Sequence, residues 1–133
     1  MSWSEPGVLR GMHFQSPPFA HDKAVSCLSG QVLDVILDLR RSSPSFGVSV
    51  GFVLDGQAPS TVWIPAGCAH GFAVLGHNRA LMHYAVTAEH SPDNDRGVRW
   101  DSFGFEWPTG TARVVSDRDS ILPDFAKLPV LFP

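Results

Sequence analysis

The sequence has few cysteines, no long apolar run and no cluster of positive charge, and each of these excludes a class of protein. Its 133 residues include two cysteines, Cys27 and Cys68, which are too few for a disulfide scaffold and lack zinc-ligand spacing. No apolar run approaches the roughly 18 residues of a membrane-spanning helix, and the first residues lack the pattern of a secretory signal. The ten Lys and Arg residues are dispersed and the formal net charge is -3, which disfavours a nucleic-acid-binding surface. We therefore expect one cytoplasmic domain over residues 1–133 that binds neither nucleic acid nor a membrane.

Long helices are scarce for a separate reason, because 12 glycines and 11 prolines are spread along the whole chain. Apolar types nevertheless make up 44% of the residues, which is enough to build a core. The dominant signal is alternation with a period of two. In residues 31–40, Leu33, Val35, Leu37 and Leu39 share one face, which we assign to a core. The opposite face mixes apolar and charged side chains, as expected of a partly wet interior or an interface.

Short strands separated by turn-forming residues are predicted along most of the chain. They cover residues 8–15, 23–28, 31–40, 47–54, 61–64, 72–75 and 79–87. This pattern is typical of an antiparallel sandwich or barrel, and a jelly roll is its natural closed form. Residues 113–116 are predicted as a last strand, and residues 119–127 as a short helical segment capped by Asp119 or Ser120. The predicted fold class is therefore all-β, a jelly roll with a short C-terminal helical segment.

Five polar residues occupy positions that a plain sandwich does not require, namely His13, Lys23, His70, Tyr84 and Asp119. Each alone has an ordinary structural explanation, such as a hydrogen-bonded histidine, a packed tyrosine, a strand-edge charge or a helix cap. Together, a His, a Lys, a Tyr and an Asp supply a general base with its orienting carboxylate, a cation for a developing oxyanion and a phenol acid. That set fits the removal of a proton α to a carbonyl group.

Strand parity affects the first of these positions. Arg10 and His13 are three residues apart, so a regular strand would send their side chains to opposite faces. Gly11 lies between them and could hold a β-bulge that brings both inward. Without such a bulge, one of the two side chains does not face the site.

A metal site is an alternative use of the same kind of residue. Jelly-roll cupins often bind a metal through a His-x-His pair with a Glu a few residues on. The six histidines of this sequence form no such pair, and no Glu follows His13 or His70 at short distance. Three ligands from distant strands would still suffice, so a metal-dependent cupin oxygenase stays open as an alternative.

Longer motifs of the chain resemble those of dTDP-4-dehydrorhamnose 3,5-epimerases. Residues 7–15 (GVLRGMHFQ) resemble the family signature GVLRGLHFQ, and residues 64–72 (IPAGCAHGF) resemble IPxGFAHGF. Further matches follow in family order at residues 23–25, 34–35, 38–40, 43–47, 97–101 and 107–108, and at Ser116 and Asp119 for the pattern S-x-x-D. The resemblance extends over nearly the whole chain, from Gly7 to about Pro123.

This resemblance implies a cupin-type jelly roll (a double-stranded β-helix) that works without a metal or other cofactor and forms a homodimer. The implied reaction inverts C3 and/or C5 of a nucleotide-diphosphate 4-keto-6-deoxy sugar, in deoxysugar or polysaccharide biosynthesis. By similarity, His13 is the base that removes the proton and Asp119 orients it. Lys23 would stabilise the enolate oxygen, and Tyr84 would return a proton from the opposite face.

The resemblance also assigns substrate-binding positions to Arg10, Gln15 and His70. The chain departs from the family pattern where His90 stands in place of a common second Tyr. It also begins close to the signature, without the preceding segment that helps the family to clasp its nucleotide. These departures leave four alternatives open: a different nucleotide, inversion of one carbon only, a differently built pocket, or a protein that binds a sugar nucleotide without turnover.

Overall fold

The computed structural model describes residues 1–108 and 114–133, and within them ten strands form two sheets. The strands are β1 (Ser2–Ser4), β2 (Val8–Gln15), β3 (Lys23–Ser29), β4 (Gln31–Asp38), β5 (Ser49–Asp55), β6 (Thr61–Ile64), β7 (Cys68–Val74), β8 (Ala80–Val86), β9 (Asp95–Gly97) and β10 (Val114–Val115). One short helix, α1 (Asp117–Ser120), and 3-10 turns at Pro92–Asn94 and Phe125–Lys127 complete the elements of the described residues.

Two sheets face each other in the sandwich. The smaller sheet has the order β1-β8-β3-β6, and the larger has the order β10-β2-β7-β4-β5, with β9 also paired to β2. This arrangement confirms the predicted all-β jelly roll with a short C-terminal helical segment. The pairs are antiparallel except that β10 runs parallel to β2, a pairing that the sequence did not indicate. Arg113, where the last strand was predicted to begin, lies outside the described residues.

The inner strands of the larger sheet are buried on both faces, and this explains the mixed sequence pattern of β4. Toward the smaller sheet, Val32 and Phe72 join an apolar cluster with Val25 and Met82. On the other face, Val35 and Leu37 belong to a second cluster, against which aromatic and aliphatic residues of the C-terminal part pack. The face of β4 that was predicted to be partly wet is therefore the one that points between the sheets.

Strand β7 is longer than the sequence pattern predicted. Every residue from Cys68 to Val74 is buried, because β7 lies between β2 and β4 in the middle of the larger sheet. A strand with both faces covered reads as a continuous apolar run, so its first residues carry no alternation that would mark them as strand.

The C-terminal helix begins earlier than predicted, with Ser116 as its N-cap. The Ser116 side chain accepts a hydrogen bond from the backbone N–H of Asp119 at 3.1 Å. Because a serine hydroxyl serves as the cap, the carboxylate of Asp119 is available for other partners. None of the helices in the described parts of the chain has the length and apolar character needed to span a bilayer.

Candidate active site

A pocket of about 210 Å³ opens between the two sheets. Strands β2 and β9 of the larger sheet form one wall, and β3 and β8 of the smaller sheet form the other. It is lined by His13, Phe14, Gln15, His21, Lys23, Tyr84, Val86, His90 and Asp95. Three of the residues predicted to be catalytic thus face one cavity, although they come from three different strands.

A bulge is present at Gly11 and aims His13 into this pocket, but Arg10, which such a bulge could also have turned inward, does not line it. The register of β2 against β7 shifts between Arg10 and His13. Gly11 has a φ of +119°, and a Cβ atom there would meet the Gly71 Cα at 2.6 Å and the His70 carbonyl oxygen at 2.8 Å. Only glycine allows the two backbones to approach so closely in this conformation.

Asp119 reaches back to the bulge and holds His13. Its Oδ1 lies 2.6 Å from the His13 Nε2, and its Oδ2 accepts a hydrogen bond from the backbone N–H of Gly11 at 3.0 Å. A carboxylate can only accept, so the proton of the neutral imidazole lies on Nε2 and the lone pair lies on Nδ1. The His13 side chain keeps 31% of its surface exposed, against 5% for Asp119. The pair therefore presents an oriented and accessible base above a buried carboxylate.

The charge of Asp119 is maintained by its hydrogen bonds. Burial alone would raise its pKa, but the hydrogen bonds from His13 and from the Gly11 amide, with the charges of His13 and Arg118, bring the pKa below its ordinary value. The carboxylate therefore stays ionised at neutral pH, where it fixes the tautomer of His13 and stabilises its protonated form.

Lys23 and Tyr84 approach the pocket from the smaller sheet. Burial lowers the pKa of Lys23, and the nearby carboxylates of Asp95 and Asp34 partly oppose this effect. Burial raises the pKa of Tyr84, so its phenol keeps its proton at neutral pH. The site thus contains a half-buried cation and a phenol acid on the sheet opposite to the base.

His70 is buried and does not line this pocket. Its Nε2 is 2.6 Å from Oδ1 of Asp34, and both side chains are buried. The ring of Tyr84 packs edge-on against the His70 ring, with centroids 6.4 Å apart. His70 is also the register partner of His13, so the histidines of the two His–Asp pairs lie on adjacent strands.

Sequence reasoning missed Asp34 as part of the site. Its other carboxylate oxygen, Oδ2, is buried without a hydrogen-bond partner in the described residues. The available signal was its place on the mixed face of β4, where a carboxylate alternates with Val32 and Ile36.

The two other predicted binding residues occupy different surroundings. Arg10 is exposed, and its Nε donates to the Ser4 hydroxyl at 2.9 Å, outside the wall of the pocket. Gln15 lines the pocket, and its Oε1 accepts a hydrogen bond from the backbone N–H of Ser91 at 3.0 Å. The structure brings Gln15 onto the pocket wall with the catalytic candidates, whereas Arg10 lies outside that wall but within electrostatic range of Tyr84.

Across residues 1–108 and 114–133, no three His, Cys, Asp or Glu side chains come together as metal ligands. The groups that do converge are suited to proton transfer. A base on β2 and an acid on β8 lie on opposite sheets and face the same cavity, with an ammonium group beside them. Such an arrangement can remove a proton from one face of a bound carbon acid and return one from the other face.

This fold and this set of side chains define a cupin-like jelly-roll protein with an acid–base pocket between its sheets. The chain belongs to the dTDP-4-dehydrorhamnose 3,5-epimerase family, whose model matches residues 1–127. The enzyme of that name from Sinorhizobium fredii is 42% identical over 128 residues, covering 95% of this chain and 65% of the relative. The one from Escherichia coli is 40% identical over 123 residues, covering 91% and 66%. The chain therefore spans just under two-thirds of the length of these curated relatives.

Solved structures agree with this assignment. A dTDP-6-deoxy-D-glucose-3,5-epimerase from Legionella pneumophila, in complex with dTDP-4-keto-L-rhamnose, superposes with a TM-score of 0.93 at 36% identity. The match covers 99% of this chain and 71% of that one. A 3'-monoepimerase from Streptomyces bikiniensis, in complex with dTDP-quinovose, gives a TM-score of 0.86 at 30% identity, covering 94% and 64%.

Proposed function

We propose that this chain inverts C3 and/or C5 of a nucleotide-diphosphate 4-keto-6-deoxy sugar. The observation that carries the proposal is the arrangement of His13, held by Asp119 on the larger sheet, and Tyr84 on the smaller sheet around one pocket. Both the di-epimerase and the mono-epimerase among the structural relatives share this fold, so one or two inverted carbons are compatible with it.

The first step is deprotonation next to the C4 ketone. Nδ1 of His13 takes the proton from the sugar carbon, the C–H electron pair forms the enolate, and the C4 oxygen becomes negative. Asp119 stabilises the imidazolium that results, since its carboxylate already accepts from Nε2. The ammonium group of Lys23 stabilises the enolate oxygen, and its partial burial strengthens that interaction relative to water.

The second step is protonation from the opposite face. The Tyr84 O–H gives its proton to the same carbon, which restores the ketone and leaves a phenolate. Solvent then returns a proton to Tyr84 and removes one from His13, so that the enzyme regains its starting state. Burial raises the pKa of Tyr84, which keeps the donor protonated before the reaction.

Substrate binding is proposed for Gln15, Arg10 and His70. Gln15 lies on the pocket wall, where its amide can contact the sugar. Arg10 carries a charge suited to the diphosphate and is within electrostatic range of Tyr84. His70, held by Asp34, would act on the substrate through the ring of Tyr84, against which it packs edge-on.

Deuterium exchange tests the activity. The protein is incubated in D₂O with dTDP-, GDP- and CDP-linked 4-keto-6-deoxyglucose, and deuterium uptake at C3 and C5 is followed by NMR. We expect uptake at one or both carbons, abolished by His13→Ala but not by the matched His77→Ala, which changes an exposed histidine in the turn after β7. Binding without exchange for every substrate would leave a sugar-nucleotide-binding protein instead.

The metal-free reaction that the family resemblance implies is tested on the same preparation. Metal analysis of the purified protein is followed by the exchange assay after chelation. We expect turnover to persist in the chelated protein. Stoichiometric iron that is lost together with activity would instead support the metal-dependent cupin alternative.

We further propose that residues 1–133 act as one cytoplasmic catalytic domain in deoxysugar or polysaccharide biosynthesis, and that the chain forms a homodimer. Exposed apolar side chains on the edge strands support the dimer, since Phe52 and Val53 of β5 and Trp63 of β6 are each more than 40% exposed. Open sheet edges with such side chains favour association. Light scattering coupled to size exclusion should give twice the chain mass, and a monomer at micromolar concentration would contradict this.

A further inference from the structure

His21 is a polar pocket residue that takes no part in the proposed proton transfers. His21 lies in the connection between β2 and β3, two residues before Lys23, and it lines the same cavity. It is buried, with 8% of its surface exposed, although it belongs to a loop. His90 lies on the same cavity wall.

The hydrogen bonding of His21 determines which ring nitrogen carries the proton. Nδ1 lies 3.2 Å from the carbonyl oxygen of Phe19. A carbonyl oxygen can only accept, so Nδ1 is the donor and, in the neutral ring, Nε2 carries the lone pair. No described residue hydrogen-bonds Nε2, and Nε2 is not among the unpartnered polar atoms that are sealed from solvent. This atom therefore retains access to the pocket.

The surroundings of His21 favour the neutral ring. Burial lowers its pKa, and the neighbouring Lys23 and His90 lower it further. The bond to the Phe19 carbonyl and the carboxylate of Asp22 act in the other direction without reversing the shift. At neutral pH, His21 is thus a hydrogen-bond acceptor in the pocket. The ammonium group of Lys23, at the start of β3, lines the same pocket.

We propose that His21 is a substrate-contacting residue, whose Nε2 accepts a hydrogen bond from an O–H or N–H group of the nucleotide-linked sugar. This proposal rests on the proposed function, because it takes the sugar nucleotide as the ligand. Sugar hydroxyls and the ring N–H of a nucleobase are such donors, whereas an ionised diphosphate has none to offer. The residue would therefore recognise the neutral polar parts of the ligand, and Lys23 and Arg10 its negative charge.

Binding measurements on two variants test this contact. His21→Phe keeps an aromatic ring but removes the acceptor, and His21→Gln keeps an acceptor oxygen. Calorimetric titration with dTDP, GDP and CDP and with their glucose conjugates selects the ligand pair that the wild type binds best. We expect His21→Phe to weaken binding by about 3- to 10-fold, the effect of one lost hydrogen bond. We expect His21→Gln to stay within about twofold, and the exposed-site control His77→Phe to bind like the wild type.

The two ligands of the pair distinguish the sources of the hydrogen bond. If His21→Phe weakens the binding of the nucleoside diphosphate and of its glucose conjugate equally, the hydrogen-bond donor belongs to the nucleoside. If it weakens only the conjugate, the donor is a sugar hydroxyl. Nitrogen-15 NMR of the labelled wild type gives a readout that does not depend on a variant folding, and ligand should shift the His21 Nε2 resonance more than that of Nδ1.

The contact is overturned if His21→Phe binds as the wild type does, if Phe and Gln weaken binding equally, or if Nε2 does not respond to ligand. Its failure is distinguishable from failure of the epimerase proposal. If the wild type exchanges deuterium but His21→Phe binds ligand as the wild type does, only the proposed His21 contact is contradicted. If binding is weakened by His21→Phe and retained by His21→Gln but the wild type shows no deuterium exchange, only the epimerase proposal is contradicted. A wild type that binds none of these ligands would remove both.

Discussion

At the scale of single residues, burial disfavours the charged forms of both Asp119 and Lys23. Their hydrogen-bond and charge partners oppose this effect to different extents. Asp119 receives enough hydrogen bonds to remain ionised in spite of its burial. Lys23 has only partial compensation from Asp95 and Asp34. The carboxylate is therefore well accommodated by the fold, whereas the ammonium group is held at a cost that its proposed contact with the enolate explains.

Replacing Asp119 tests the orientation of the base. In Asp119→Asn the amide can no longer fix the Nε2–H tautomer of His13 or stabilise its positive charge, so the turnover number for exchange should fall by about 10²- to 10⁴-fold. The measurement is the initial rate of deuterium uptake at saturating substrate. Asp117→Asn, an exposed change in the same short helix, should keep wild-type turnover. Equal rates for both variants would show that His13 works without this carboxylate.

Replacing Lys23 should separate stability from activity. The pKa of Lys23 is lower in the folded than in the unfolded chain, so its charged form at neutral pH destabilises the fold. Lys23→Met should raise the melting temperature by about 2–5 °C. It should also reduce exchange by about 10²- to 10³-fold, because the enolate loses its cation. Lys127→Met changes the other lysine of the chain, which is exposed, and should alter neither quantity. A lower melting temperature for Lys23→Met would contradict the role assigned to burial.

At the scale of elements, the bulge in β2 connects the packing of the larger sheet to the site. The same backbone that approaches β7 at Gly11 also donates its N–H to Asp119 and sets the direction of His13. Helix α1 supplies the carboxylate partner of His13, since its Ser116 cap begins the turn that places Asp119 against β2. The base and its carboxylate are thus positioned by two elements that are far apart in sequence.

Substituting alanine at Gly11 should disrupt this junction. The new Cβ would lie 2.6 Å from the Gly71 Cα and 2.8 Å from the His70 carbonyl oxygen, so β2 and β7 must separate. We expect the free energy of unfolding to fall by at least about 2 kcal/mol, with loss of exchange. Gly76→Ala is the matched control, because Gly76 also has a positive φ of +71° but no atom within 4 Å of the added Cβ. It should cost about 1 kcal/mol and keep activity. Equal losses in denaturant titrations would assign the effect to φ alone.

At the scale of the whole molecule, buried carboxylates determine how stability depends on pH. Burial would raise the pKa of Asp38, but hydrogen bonds from Arg40, Ser45 and Ser43 bring it well below the ordinary value of 3.8. The pKa of Asp119 is lowered as well. A carboxylate with a lower pKa in the folded state stabilises the fold at pH values above its unfolded pKa. That contribution is lost as the pH falls through the folded pKa.

The free energy of unfolding should therefore fall modestly as the pH drops through about 6.5, because the folded state disfavours protonation of His21, and fall steadily once the pH drops below about 4. Asp38→Asn should be less stable at pH 7, and its stability should fall less steeply on acidification. Urea titrations at a series of pH values measure both effects. The exposed-site variant Asp93→Asn should follow the wild-type profile. Parallel profiles for Asp38→Asn and the wild type would mean that Asp38 is not responsible for the acid sensitivity.

The fold class and several residues of the candidate site can be predicted from the sequence. Alternation in residues 31–40 and the spacing of turns predicted the sandwich, because side chains of a strand alternate whatever their partners are. The long motif at residues 7–15 indicated the family, and the odd spacing of Arg10 and His13 left two alternatives, a bulge at Gly11 or one side chain that faces away from the site. All of these signals are local, so they can be read from neighbouring residues.

Features that depend on distant partners are visible only in the folded chain. The contact between His13 and Asp119 joins residues 106 positions apart, and the one between His70 and Asp34 joins residues 36 apart. Strand β7 was predicted too short, because burial on both faces removes the alternation by which strands are recognised. His21 likewise becomes a candidate for substrate contact only because the fold places it in the same pocket as Lys23 and His90. Burial and hydrogen-bond partners determine the charge and direction of these groups, and only the packed chain supplies both.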